Sequence, residues 1–108
     1  MPLTFSPGDT RYHVEDEAAL RAMVAKFAAA LAGDKTTLLE VGGHASQEGK
    51  LVHNRALAQK RALAVRRWLV TQKLPPERLV VRSYGTAMPT DDGPDRDRRV
   101  TLRLIDGK

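Results

Sequence analysis

The sequence predicts an α+β two-layer sandwich (α/β in its crossovers), with two helices on one face of a mixed four-stranded sheet and the element order β-α-β-α-β-β. Three observations carry that expectation. Leu20, Met23, Val24, Phe27 and Leu31 recur at three- and four-residue spacing, the period of an amphipathic helix. A β-branched, apolar segment at 36–41 runs into Gly42-Gly43 and a short loop, and a second periodic helical stretch follows at 54–73. Near the end, Val100, Leu102 and Leu104 alternate with Arg99, Thr101 and Arg103, as in a strand buried on one face only.

Taken in order, Leu3 to Phe5 form a short first strand, ended by the turn-forming run Ser6-Pro7-Gly8-Asp9. The first helix covers 15–32, with Glu15, Asp16 and Glu17 at the positive end of its dipole and Gly33 as its C-cap. The strand at 36–41, the glycine-containing loop and the helix at 54–73 come next, and Pro75-Pro76 stops that helix. Residues 78–84 read as a third strand around the apolar run Leu79-Val80-Val81, and turn formers fill 85–97 before the last strand at 98–105. Helical crossovers imply parallel pairing of the first three strands, and the last strand, reached without a helix, runs antiparallel. No internal repeat or low-complexity segment is visible.

At 108 residues, the chain (1–108) is long enough for one domain with its own core. The 42% hydrophobic content fits an ordinary folded domain, and the absence of cysteine excludes a disulfide framework and thiol chemistry. A formal charge of +5 favours anionic partners such as nucleic acid, anionic lipid or cell-wall polymer, without choosing among them. Residues Met1-Pro2-Leu3-Thr4-Phe5 lack the basic and apolar regions of a signal peptide, and no segment has the apolar length of a transmembrane helix. These features fit either a small cytoplasmic protein or a domain of a longer one.

On the second helix, Leu57, Ala64, Val65 and Trp68 form an apolar stripe toward the core, while Arg55, Gln59, Arg66 and Lys73 point to water. Asn54 and Arg61 fall inside the stripe. An arginine rarely enters a buried face without a partner, so Arg61 either snorkels out over the edge of the sheet or is held there to meet an anion, the plainer alternative being an internal salt bridge. His44, Ser46 and Glu48 could be read as a hydrolytic trio, but alternate positions at a strand end do not bring a base to a nucleophile, and no GxSxG elbow is present. The chain is therefore not read as an enzyme. His13, His44 and His53 lack metal-ligand spacing, and no cofactor is implied. Arg55, Lys60, Arg66, Arg67, Lys73, Arg99 and Arg103 could contact phosphates, but without a recognition motif or interleaved aromatics a solvated basic face is the commoner explanation and nucleic acid is disfavoured.

Gly43-His44-Ala45-Ser46, Gly49, Asn54, Leu57, Arg61-Ala62 and Val65, followed by Arg78, Tyr84-Gly85, Pro89 and Asp97-Arg98-Arg99-Val100, resemble the OmpA-like family. This is the peptidoglycan-associating module at the C-termini of OmpA, Pal and MotB. Its pattern runs GHTDxxGxxxxNxxLSxxRAxxV, later GxGxxxP and NRRV, and the likeness covers most of the chain from the second strand onward. The resemblance implies non-catalytic binding of the peptidoglycan stem peptide in the periplasm, as a domain of a membrane-anchored protein. In the family, the arginine of LSxxRA grips a carboxylate of diaminopimelate, and the aspartate of GHTD holds its ammonium group. The arginine corresponds to Arg61, the family asparagine to Asn54, and the first arginine of NRRV to Arg98.

Two departures from the pattern remove carboxylates. Ser46 stands where the family has the GHTD aspartate, and Ser6 stands where an aspartate often follows the phenylalanine of the first strand. A serine hydroxyl can accept a hydrogen bond from an ammonium group without cancelling its charge. Glu48, two residues on, could stand in but is more simply a solvated loop carboxylate. The implied ligand set is Arg61, Asn54, Ser46, Arg98 and Ser6. The alternative is an OmpA-like scaffold that has lost its ligand and binds a protein partner through the loop face.

Overall fold

A computed structural model of the chain describes residues 3–5, 12–14, 16–46, 50–87 and 97–107. The elements are β1 (Leu3–Phe5), β2 (Tyr12–Val14), α1 (Glu17–Gly33), β3 (Thr37–His44), α2 (Leu51–Thr71), a 3-10 turn (Pro76–Arg78), β4 (Leu79–Gly85) and β5 (Val100–Asp106). β3 lies at the centre of a three-stranded sheet ordered β4-β3-β5, parallel to β4 and antiparallel to β5. The α2 crossover gives the expected parallel pair, and the helix-free return gives the expected antiparallel one.

The four-stranded sheet is corrected in one respect. Among the described residues the central sheet has three strands, and β1 pairs antiparallel with β2, Leu3 opposite Val14 and Phe5 opposite Tyr12. Phe5 and Tyr12 are too close in sequence for a parallel crossover but close enough for an antiparallel return. A three-residue strand carries too little alternation to be read from sequence.

Helix α1 begins at Asp16, whose carboxylate accepts from the Ala19 backbone N–H at 3.0 Å. Its C-cap is Asp34, so Gly33 is the last helical residue and not the cap that the sequence suggested. Leu20, Phe27 and Leu31 form its buried stripe, with Met23 and Val24 packed beside them. Helix α2 begins three residues before the expected start and buries Asn54, Leu57, Ala58, Arg61, Ala62, Val65 and Leu69, a three-and-four spacing. Trp68, expected inside, is only half-buried at the edge of the stripe because Leu69 takes the central position. Lys73, with φ of 68°, ends the helix in a left-handed turn and delivers buried Leu74 to the core.

β3 meets the helices with Leu39 and Val41, which pack in one apolar cluster with Leu20, Phe27, Leu31, Ala62, Val65, Leu69 and Val100. The strand does not stop at the glycines, as the sequence suggested, but continues through both to His44. A Cβ on Gly43 would stand 1.8 Å from the Ala58 carbonyl oxygen of α2, and one on Gly42 2.7 Å from Thr101 Oγ1 and 2.8 Å from the Tyr84 ring. These glycines mark close approach on both faces of the sheet, not a loop.

Two arginines pin the layers. Arg78 donates to the carbonyls of Leu31 (2.5 Å), Thr37 (2.9 Å from Nε) and Asp34, tying the end of α1 to the start of β3. Arg66, expected to point to water, is half-buried and donates to the carbonyls of Leu79 (3.1 Å) and Pro76 (2.8 Å). Arg78→Leu should cost about 2 kcal/mol, since charge-assisted hydrogen bonds are lost and carbonyls at a helix end lose their donor. Urea unfolding monitored by circular dichroism measures it, and an unchanged midpoint would contradict the clamp.

Candidate functional site

Buried polar side chains gather at one end of the sheet. Apart from Glu40, the buried polar and charged residues among those described are His44, Ser46, Asn54, Arg61, Asp97 and Arg98, drawn from the end of β3, the inner face of α2 and the approach to β5. The backbone assembles this end. His44 N–H donates to the Arg99 carbonyl at 2.9 Å, and Ala45 N–H donates to the Gly85 carbonyl at 2.9 Å, so the end of β3 is held between the two flanking segments. Gly85 turns with φ of +55°, and its missing Cβ lets α2 approach, since that atom would lie 3.1 Å from Arg55 Cγ.

Arg61 is fully enclosed, 0% exposed, and its Nη1 donates to the His44 carbonyl at 3.2 Å. Its place on the inner stripe follows from its spacing from Asn54, Leu57, Ala58 and Val65. Asn54 lies two helical turns before it on the same face and is also buried, as are Ser46 and Arg98. The structure therefore gathers four of the five sequence-derived ligand positions at one strand end. Ser6 and Glu48 lie outside the described residues, as does most of the loop face between 43–49 and 85–97.

Two residues acquire roles that the sequence did not suggest. Asp97 is buried beside Arg98 and is the one buried carboxylate at this end of the sheet among the described residues. It occupies the place of the family asparagine in NRRV. His44 sends its ring to the sheet face away from the helices, where it stacks on Tyr84 with centroids 5.1 Å apart and 7° between planes, and its Nε2 lies 3.0 Å from Thr101 Oγ1. Burial, reinforced by the Arg99 guanidinium and opposed by Glu40 and Asp97, lowers its pKa to about 4. The His44 ring is thus engaged with Thr101 and Tyr84 on the face away from the helices, and Glu48, the third member of the trio considered from sequence, lies outside the described residues. Among the described residues no group of three or more His, Cys, Asp or Glu side chains could hold a metal ion, and no helix is long and apolar enough to cross a membrane.

Comparisons with known proteins agree on one family. The OmpA family model matches residues 4–103. The chain is 39% identical over 66 residues to the peptidoglycan-associated lipoprotein of Pseudomonas aeruginosa, a match covering 56% of this chain and 39% of that protein. It thus spans about two fifths of that relative's length. Among solved structures, the fold is similar to the peptidoglycan-associated lipoprotein from Burkholderia pseudomallei, with a TM-score of 0.76 at 22% identity over 95% of this chain and 88% of that one. It is similar also to the C-terminal domain of Helicobacter pylori MotB, with a TM-score of 0.73 at 18% identity over 97% and 85%. None of these descriptions names an enzyme. The family model spans the strands, both helices and the buried polar end together, and the chain belongs to the OmpA family.

Proposed function

We propose that this domain is a non-catalytic peptidoglycan-associating module of the periplasm, carried by a membrane-anchored parent, and that it recognises the diaminopimelate of the stem peptide through Arg61. The observation that supports the proposal is the concentration of buried polar side chains at the end of β3, among them Arg61, Asn54, Ser46 and Arg98, the residues to which the family resemblance assigns the ligand. Buried polar and charged groups are costly, and a fold that needs only packing would not collect them at one strand end. Arg61 offers a planar donor fork suited to a carboxylate, in an enclosed place where a charge-assisted contact is stronger than at the surface. Asn54 and Arg98 supply further donors. The Ser46 hydroxyl accepts from the ligand's ammonium.

The rival is a scaffold that has lost its ligand and serves as a protein-protein module. It is favoured by Ser46 in place of the acid and by the contact of Arg61 with the His44 carbonyl. Ser46→Asp separates the two. Restoring a carboxylate beside the ammonium adds a charge-assisted hydrogen bond worth roughly 1.5–3 kcal/mol, or about one to two decades in affinity. Calorimetry should show that gain for a diaminopimelate tripeptide and none for an analogue lacking the second amine, while Arg61→Lys weakens binding in both backgrounds. Equal affinity of wild type and Ser46→Asp, with binding indifferent to Arg61→Lys, would favour the scaffold.

A further inference from the structure

The face of the sheet away from the helices carries a second polar constellation that the first site does not use. Alternation along β3 sends Glu40, Gly42 and His44 to this face, and their neighbours add Arg82 and Tyr84 from β4 and Thr101 and Arg103 from β5. Arg98 and Arg99 are adjacent in sequence, so strand alternation sends them to opposite sides. Arg98 joins the buried end described above, and Arg99 lines a cavity of about 290 Å³ with Glu40, His44, Tyr84, Thr101, Leu102 and Arg103.

The floor of this cavity is fixed. Tyr84 donates to Glu40 Oε1 at 2.6 Å, His44 stacks on the Tyr84 ring, and Thr101 Oγ1 holds His44 Nε2. The rim is cationic. Arg103 reaches Glu40 Oε2 at 3.2 Å and Arg82 stands 3.9 Å from the same oxygen, yet both side chains remain 62% exposed. Two guanidinium groups, those of Arg82 and Arg103, thus reach the buried carboxylate of Glu40, and Arg99 lines the same cavity. Burial lowers the pKa of Arg99, opposed by the nearby Asp97 carboxylate. Gly42 keeps the floor open, since a Cβ there would run into both Thr101 and Tyr84.

We propose that this face binds an acidic peptide segment, one Asp or Glu carboxylate entering the cavity between Arg99 and Arg103 while a neighbouring carboxylate meets Arg82 on the rim. The cavity has room for one side chain, below the size usual for a complete small-molecule ligand, and the exposed arginines extend recognition beyond it along the strands. The site is independent of Arg61 and of stem-peptide binding.

The test is a titration of the full chain with an acetylated, amidated Glu-Asp-Glu-Asp peptide, followed by amide and arginine side-chain shifts. Saturable shifts at His44, Tyr84, Arg99, Thr101 and Arg103 are expected, with no binding of the Gln-Asn-Gln-Asn counterpart. Arg103→Gln and Arg99→Gln should each weaken affinity about tenfold, one charge-assisted contact apiece, while Arg67→Gln on exposed α2 leaves it unchanged. Arg103 is exposed, so its variant reports even where Arg99→Gln disturbs the fold. Shifts that never saturate, equal losses for Arg103→Gln and Arg67→Gln, or glutarate binding as tightly as the peptide would each overturn the proposal.

Discussion

Gly43→Ala is expected to destabilise the domain by about 3–5 kcal/mol, the largest effect of an added methyl among the described glycines. The new Cβ would stand 1.8 Å from the Ala58 carbonyl oxygen and 2.6 Å from its carbon. Both atoms belong to the backbone of α2, so no side-chain rotation relieves the clash and the helix must move off the sheet. Gly42→Ala meets the side chains of Thr101 and Tyr84 instead, which can yield, and should cost about 1–3 kcal/mol. Gly33 has nothing within 4 Å of its added Cβ and lies at the end of α1, so Gly33→Ala should be neutral or stabilising by up to about 1 kcal/mol. Urea midpoints of the three variants should fall in that order. Equal midpoints for Gly42→Ala and Gly43→Ala would contradict the close contact of β3 with α2.

The second large effect is acid destabilisation through His44. Its pKa is about 4 in the folded chain against an ordinary 6.5, so between those values the unfolded chain binds a proton that the folded chain refuses. Stability therefore falls as the pH drops from about 6.5 toward 4, and the contribution is fully present above that window. From pH 7 to pH 4 the loss from this residue is about 3 kcal/mol. His44→Phe keeps a ring beside Tyr84 and removes the titration. The difference in unfolding free energy between wild type and variant should change by about that amount across the window. A constant difference from pH 7 to 4 would mean that His44 protonates normally in the folded chain.

Much of this architecture was legible because it rests on periodicity. The stripe of α1, the inner position of Arg61, the parallel crossover through α2 and the one-sided burial of β5 all follow from spacing, which the core enforces. Elements governed by tertiary approach were not legible. Gly42 and Gly43 read as the start of a loop, yet they continue β3 because only glycine admits Ala58 on one face and Thr101 and Tyr84 on the other. An unbroken strand pattern leading into paired glycines was the signal available, since glycine inside a strand marks close backbone approach. Arg66 and Arg78 looked like solvated or strand residues, but their partners are carbonyls distant in sequence. Asp97 and His44 depend on the same kind of long-range burial.

The central claim, that the buried polar end of β3 receives the stem peptide, is tested most directly by titrating the isotope-labelled domain with a diaminopimelate-containing tripeptide. The account predicts saturable amide shifts concentrated at Gly43 to Ser46, Asn54, Arg61 and Asp97 to Arg98, with the arginine side-chain signal of Arg61 moving along the same isotherm. An unchanged spectrum at millimolar peptide, or shifts confined to other surfaces, would contradict it.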